Sequence, residues 1–140
     1  MRTLRFLSRF GRCAPPPLSR LRFSDTLGGM QARVEEIPIG AAAAAIRNGA
    51  LVIDVREPDE YESGHVPSAR SIPAATVSSQ SRQLPKREPV YVICAAGNRS
   101  RAVAEHLAGQ GFNALTVVGG TQGWIAAGHP VITGPHADRS

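Results

Sequence analysis

Cysteine is scarce in this chain of 140 residues: Cys13 and Cys94 are the only two. They form no disulfide framework, and no cluster of Cys and His has the spacing of zinc ligands. A lone thiol in the main body of the sequence fits a reducing compartment. Long apolar runs are also missing, so no membrane-spanning helix is expected. Lysine occurs once, as Lys86. Alanine, arginine, glycine and proline are used heavily instead, a bias that suits a GC-rich, bacterial genome. No segment repeats another. What remains, 42% hydrophobic and 19% charged, is the composition of one globular domain long enough to bury a core.

The formal charge of +5 is carried by one end of the chain. Residues 1–29 hold six arginines (Arg2, Arg5, Arg9, Arg12, Arg20, Arg22) against one acid, Asp25. Residues 30–140 hold ten basic and ten acidic side chains. The body of the chain is therefore neutral and lacks the basic stripe that a nucleic-acid surface needs, so no nucleic-acid partner is expected.

Residues 1–30 read as an Arg-rich leader, either disordered or targeting. On a helix, Arg2, Arg5, Arg9 and Arg12 would share one face, with Leu4, Phe6, Leu7 and Phe10 over the other. That is the amphipathic character of a mitochondrial transit peptide, and on this reading residues 1–24 direct the protein to the matrix. On the other, the leader is disordered or translation starts at Met30, and a bacterial cytoplasmic location is expected. The fold is expected in residues 31–135, with a short tail over 136–140.

In the body, "ARVEEIPI" predicts a short edge strand and "GAAAAAIRNG" a helix that Gly49 ends. "ALVIDV", "PVYVIC" and "NALTVVGG" are near-continuous apolar runs, the pattern of strands buried on both faces. "PDEYESG" predicts a short helix with Pro58 in its first turn. "ARSIP" predicts a short strand, and "ATVSSQSRQLP" a weak helix or loop. "RSRAVAEHLAGQGF" predicts an amphipathic helix with Ala102, Val103 and Leu107 toward the core and Arg101, Glu105 and Gln110 outside. "TQGWIAAG" predicts a closing helix. The alternation gives an α/β fold: a central parallel sheet of about five strands with helices on both faces.

Cys94 stands at the carboxyl end of the second apolar strand. In parallel α/β sheets that is where ligands bind. The small residues of Cys94-Ala95-Ala96-Gly97-Asn98-Arg99 let the backbone curl so that several N–H groups point inward, just ahead of a helix. Such a nest binds anions and stabilises a thiolate. Arg99 adds a planar donor fork for an oxyanion, and Ser100 either hydrogen-bonds in the loop or caps the helix. A lone cysteine is more often a small core residue. The Gly, Arg and Ser that follow at this spacing favour a nucleophile instead. Four residues separate Cys94 from Arg99. Cysteine phosphatases place five there, so a phosphatase-like anion hydrolase is disfavoured and a cradle for a single sulfur is favoured.

At this point the chain resembles the single-domain rhodanese family over nearly all of residues 34–132. "LVIDVREPDEYESGHVPSARSIP" is similar to the family's first signature, through Asp54, Arg56, Glu60, Tyr61, Gly64, His65 and Ala69. "YVICAAGNRS" resembles its active-site loop. "VVGGTQGWIAAGHPV" resembles its closing signature, through Gly119, Gly120, Trp124, Gly128 and Pro130. The resemblance implies a rhodanese-like fold and a sulfurtransferase. The Cys94 thiolate would take sulfane sulfur from a donor such as thiosulfate, hold it as a persulfide stabilised by the amides of Ala95, Ala96, Gly97, Asn98 and Arg99, and pass it to cyanide or a thiol. It implies no metal and no organic cofactor. The partners implied are a small sulfur-containing anion or persulfide and a thiophilic acceptor. The alternative is a module that carries persulfide sulfur between proteins with little turnover of small molecules.

Asp54 and Arg56 are expected near the loop, as its support or as a buried ion pair, the latter favoured because buried charges are normally paired. His65 is expected to be structural, because an ionised thiol needs no general base. Ala95 and Ala96 put no charge on the loop, so thiosulfate, a dianion, is expected to be a poor donor.

Overall fold

The computed structural model describes residues 34–137. The leader, Cys13, the start at Met30 and the last residues of the tail lie outside them. The five strands are β1 (Glu35–Ile37), β2 (Leu51–Asp54), β3 (Arg70–Ser71), β4 (Val90–Ile93) and β5 (Ala114–Val117). They form one sheet in the order β1-β5-β4-β2-β3, and every pairing is parallel. The helices are α1 (Ile39–Arg47), α2 (Pro58–Ser63), α3 (Val77–Gln80), α4 (Asn98–Gly109) and α5 (Gly120–Ala126). The uncertain segment "ATVSSQSRQLP" is helical: α3 sits between two 3-10 turns, Ala74–Thr76 and Ser81–Gln83. Among the described residues no helix is long and apolar enough to cross a membrane.

Alternation along the strands sends side chains to two cores, one on each face of the sheet. Ile53, Val90, Val92 and Ala114 pack with Val103, Ala104 and Leu107 of α4, and with Val77 of α3. Val52, Ile93 and Val117 pack with Ala42 and Ala43 of α1 and Trp124 of α5. The alanine run of α1 thus serves close approach to the sheet. Ala102 is exposed, against the sequence reading. The buried stripe of α4 is Ser100, Val103, Ala104 and Leu107. That is the i, i+3, i+4, i+7 face of a 3.6-residue helix, and it leaves Ala102 off the stripe.

The strand order creates a crevice. From β2 the chain moves outward to β3; from β4 it moves to β5 on the opposite side. The two connections diverge between adjacent strands, and a cleft opens at their carboxyl ends, where parallel sheets bind ligands. Asp54 and Ile93 are register partners at the lip of that cleft, and Cys94 follows directly.

The far end of α2 is fixed to the last described residues. His65 makes an antiparallel bridge to Ile132. Its ring nitrogens lie 2.8 Å from the carbonyl oxygens of Tyr61 and His136, and the Ser68 amide donates to the Ala137 carbonyl. His65 is fully buried and stacked on Tyr61, so its role here is structural.

Candidate active site

The loop after β4 is short because α4 begins at Asn98, earlier than the sequence pattern suggests. Gly97 is the residue before the helix, with φ of 115°, a left-handed conformation that glycine adopts without strain. This turn folds the backbone over the sulfur. The Gly97 amide donates to Cys94 Sγ at 3.1 Å. Cys94 Sγ and Ser100 Oγ are 3.5 Å apart. Ser100 therefore bonds within the loop region; no side-chain cap was needed where the loop itself supplies the turn. Its hydroxyl also lies 2.8 Å from Thr116 Oγ1 on β5 and 3.2 Å from the Gly97 carbonyl.

Cys94 is almost fully buried, and burial pushes its pKa up. The hydrogen bonds of the Ser100 hydroxyl and of the Ser100, Gly97 and Ala96 amides push it down and prevail, so the thiol is held below its ordinary value. The curled loop is thus a cradle of amides and one hydroxyl with a sulfur at its centre.

A second element holds the cradle's outer side. The amides of Thr121 and Gln122, at the start of α5, donate to the carbonyls of Cys94 (2.8 Å) and Ala95 (3.0 Å). With the Ala95 carbonyl turned toward α5, the Ala96 amide faces the sulfur. Gly120 makes this approach possible: a Cβ there would overlap the carbonyl oxygens of both Cys94 and Ala95. Sequence reasoning placed Gly120 in a signature but assigned it no task, and it missed Thr116 altogether. The Thr121 hydroxyl is buried without a hydrogen-bond partner among the described residues.

The remaining named residues fall into two groups. Ala95, Ala96 and Asn98 line the outer loop, and none carries charge. The guanidinium of Arg99 is not a free fork. It donates to Glu60 of α2 through two bonds, Nη1 to Oε1 at 2.8 Å and Nη2 to Oε2 at 3.1 Å. Glu60 Oε1 also accepts the Glu57 amide, closing a capping box on α2. The Arg99 bond, then the Glu57 amide, hold the Glu60 carboxyl down at about 2.

Asp54 and Arg56 form a buried ion pair. Arg56 donates to the Asp54 carboxylate through Nε and Nη2, and Nη2 also reaches the Gly64 carbonyl at 2.9 Å. Among the described residues no hydrogen bond joins this pair to the loop. It ties β2 to the end of α2, the helix that presents Glu60. Arg101 faces solvent and pairs with Glu36 and Glu105.

Residues 40–127 match the family model of the rhodanese-like domain. Among curated proteins, the thiosulfate sulfurtransferase GlpE of Pseudomonas syringae pv. syringae is 34% identical over 91 residues, covering 64% of this chain and 86% of that protein. The thiosulfate sulfurtransferase GlpE of Coxiella burnetii is 37% identical over 57% of this chain and 75% of its own length. Among solved structures, a rhodanese-related protein from Thermoplasma volcanium is 36% identical, with a TM-score of 0.66 over 70% of this chain and 97% of that chain. A rhodanese-like domain protein from Staphylococcus aureus is 30% identical, with a TM-score of 0.62 over 65% and 91%.

Proposed function

Because the chain belongs to the rhodanese-like domain family, we propose that it is a sulfurtransferase that works through a persulfide on Cys94. The observation that carries this reading is the cradle of amides and the Ser100 hydroxyl closed on one sulfur, which holds Cys94 toward its thiolate. The thiolate attacks the outer sulfur of a donor. With thiosulfate, the bond between the two sulfurs breaks and sulfite leaves with the electron pair. One S–S bond forms and one breaks, so no external oxidant is required. The persulfide anion then occupies the cradle, where the amides of Ala96, Gly97 and Ser100 balance its charge. A thiolate or cyanide attacks the outer sulfur and regenerates Cys94. The names of the relatives support thiosulfate as one donor. The neutral loop supports a second reading, in which the protein passes persulfide sulfur between partner proteins.

The test is the intact mass of the protein after thiosulfate, then after cyanide. Gain of one sulfur, its loss to cyanide and no gain in Cys94→Ala are expected. A folded protein that gains no sulfur from thiosulfate or from a low-molecular-weight persulfide overturns the proposal.

A further inference from the structure

Resting on the sulfurtransfer reading above, we propose that Glu60 selects the charge of the donor: by occupying the Arg99 guanidinium it turns Cys94 away from dianions and toward sulfur donors with one negative charge or none. Between Cys94 and Ser100, Arg99 is the only cationic side chain. Its attraction for an anion is what a dianionic donor would use. Yet two of its N–H groups are already given to one carboxylate in a fork-on-fork pair, the stronger geometry for such contacts.

Glu60 is not free to swing aside at no cost. The same Oε1 that accepts from Arg99 accepts the Glu57 amide at the start of α2. Buried Arg56 anchors the other end of that helix through the Gly64 carbonyl. A dianion entering the cleft must therefore displace a carboxylate held by its own helix cap, or share Arg99 with a negative charge beside it. Both penalties grow with the donor's charge, because Coulomb energy is linear in it. The side chains are 42% and 36% exposed, so solvent moderates the effect without removing it.

Thiosulfate and methanethiosulfonate separate charge from chemistry. Each gives its terminal sulfur to the Cys94 thiolate. The first is a dianion and releases sulfite; the second is a monoanion and releases methanesulfinate. In both, the persulfide anion and the leaving anion together carry the charge of the reactants.

The experiment measures the second-order rate of sulfur loading onto Cys94 by quenched intact mass, in the full chain and in Glu60→Gln. Glutamine keeps one acceptor oxygen for the Glu57 amide, removes the charge and replaces the second oxygen that accepts from Arg99 with a donor, so the guanidinium is released. Loading from thiosulfate is expected to rise about three- to fivefold, from methanethiosulfonate less than about twofold, with the difference shrinking as salt is added. Glu62→Gln, an exposed acid on the same helix, is expected to leave both rates nearly unchanged. Equal gains with the two donors, a loss with thiosulfate, or the same gain in Glu62→Gln would overturn the proposal while leaving sulfur transfer intact. No loading of the unaltered chain by either donor would overturn this proposal, and failure with a low-molecular-weight persulfide as well would overturn the sulfurtransfer reading itself.

Discussion

The hydroxyl of Thr116 lies 2.8 Å from that of Ser100, and Ser100 Oγ in turn lies 3.5 Å from Cys94 Sγ. All three side chains are buried. Ser100 has one proton to give and three acceptors in reach, Cys94 Sγ, the Gly97 carbonyl and Thr116 Oγ1. When the sulfur is an anion, the proton goes to it, and Thr116 can donate to the Ser100 oxygen. Thr116→Val removes that donor. Alkylation of Cys94 at neutral pH is expected to slow about three- to tenfold and to recover as the pH rises, while Thr116→Ser stays near the parent. A rate unchanged across the pH range would show that Thr116 plays no part in ionising the thiol.

Gly120 is a test of the clasp between α5 and the loop. Its φ of 60° costs an L-residue about 1–2 kcal/mol, and the overlap with the Cys94 and Ala95 carbonyls adds about 1–3 kcal/mol. Gly120→Ala is expected to lower stability by the sum and to slow sulfur loading beyond that loss. Gly128→Ala, where a Cβ meets nothing within 4 Å, should show the conformational cost alone. Denaturant melts and loading rates of the two variants decide it.

The Asp54–Arg56 pair is buried, with Asp54 fully inside. Arg56→Met leaves that carboxylate without its partner, and a loss of about 3–5 kcal/mol is expected in denaturant unfolding. Adding Asp54→Asn should restore part of it. If the double substitution is no more stable than the single one, the pair's mutual compensation is not what stabilises this end of β2.

Glu60 also makes stability depend on acid. Its carboxyl titrates near 2 in the folded protein, held there first by the Arg99 bond, against 4.5 ordinarily. A depressed carboxyl adds stability that is complete above the unfolded value and is lost as the pH falls through the folded one. The difference in melting temperature between the parent and Glu60→Gln should hold steady down to about pH 5 and close between there and about pH 2. The pair is exposed, so the difference will be small; a gap that widens in acid would contradict the assignment.

The three central strands, β2, β4 and β5, were readable in the sequence because they are nearly all apolar, a pattern that burial on both faces favours. Cys94 was readable for the same reason: the apolar run stops there and small residues begin. Ala102 was misplaced because alanine carries little information about which face it occupies. Thr116 was hidden inside a strand otherwise apolar, where a threonine reads as a β-former rather than a donor. The Arg99–Glu60 pair joins residues 39 positions apart. Local pattern has no access to such a contact, so Arg99 was expected to face the anion and Glu60 was read only as part of a signature.

The divergence of the chain between β2 and β4 has one more consequence. The sulfur and the groups that hydrogen-bond to it lie on the loop after β4 and on the first turn of α4, backed by Thr116 of β5 and the start of α5. The carboxylate that answers Arg99 lies across the cleft on α2, in the connection that leaves β2. Reactivity and discrimination are thus a division of labour between two stretches of polypeptide, which share a core through Val66, Ala69, Ile93 and Trp124 and bring their charged side chains together through Arg99 and Glu60. An exchange of the residue at position 60 can retune what is admitted without touching the hydrogen bonds that hold the nucleophile ready.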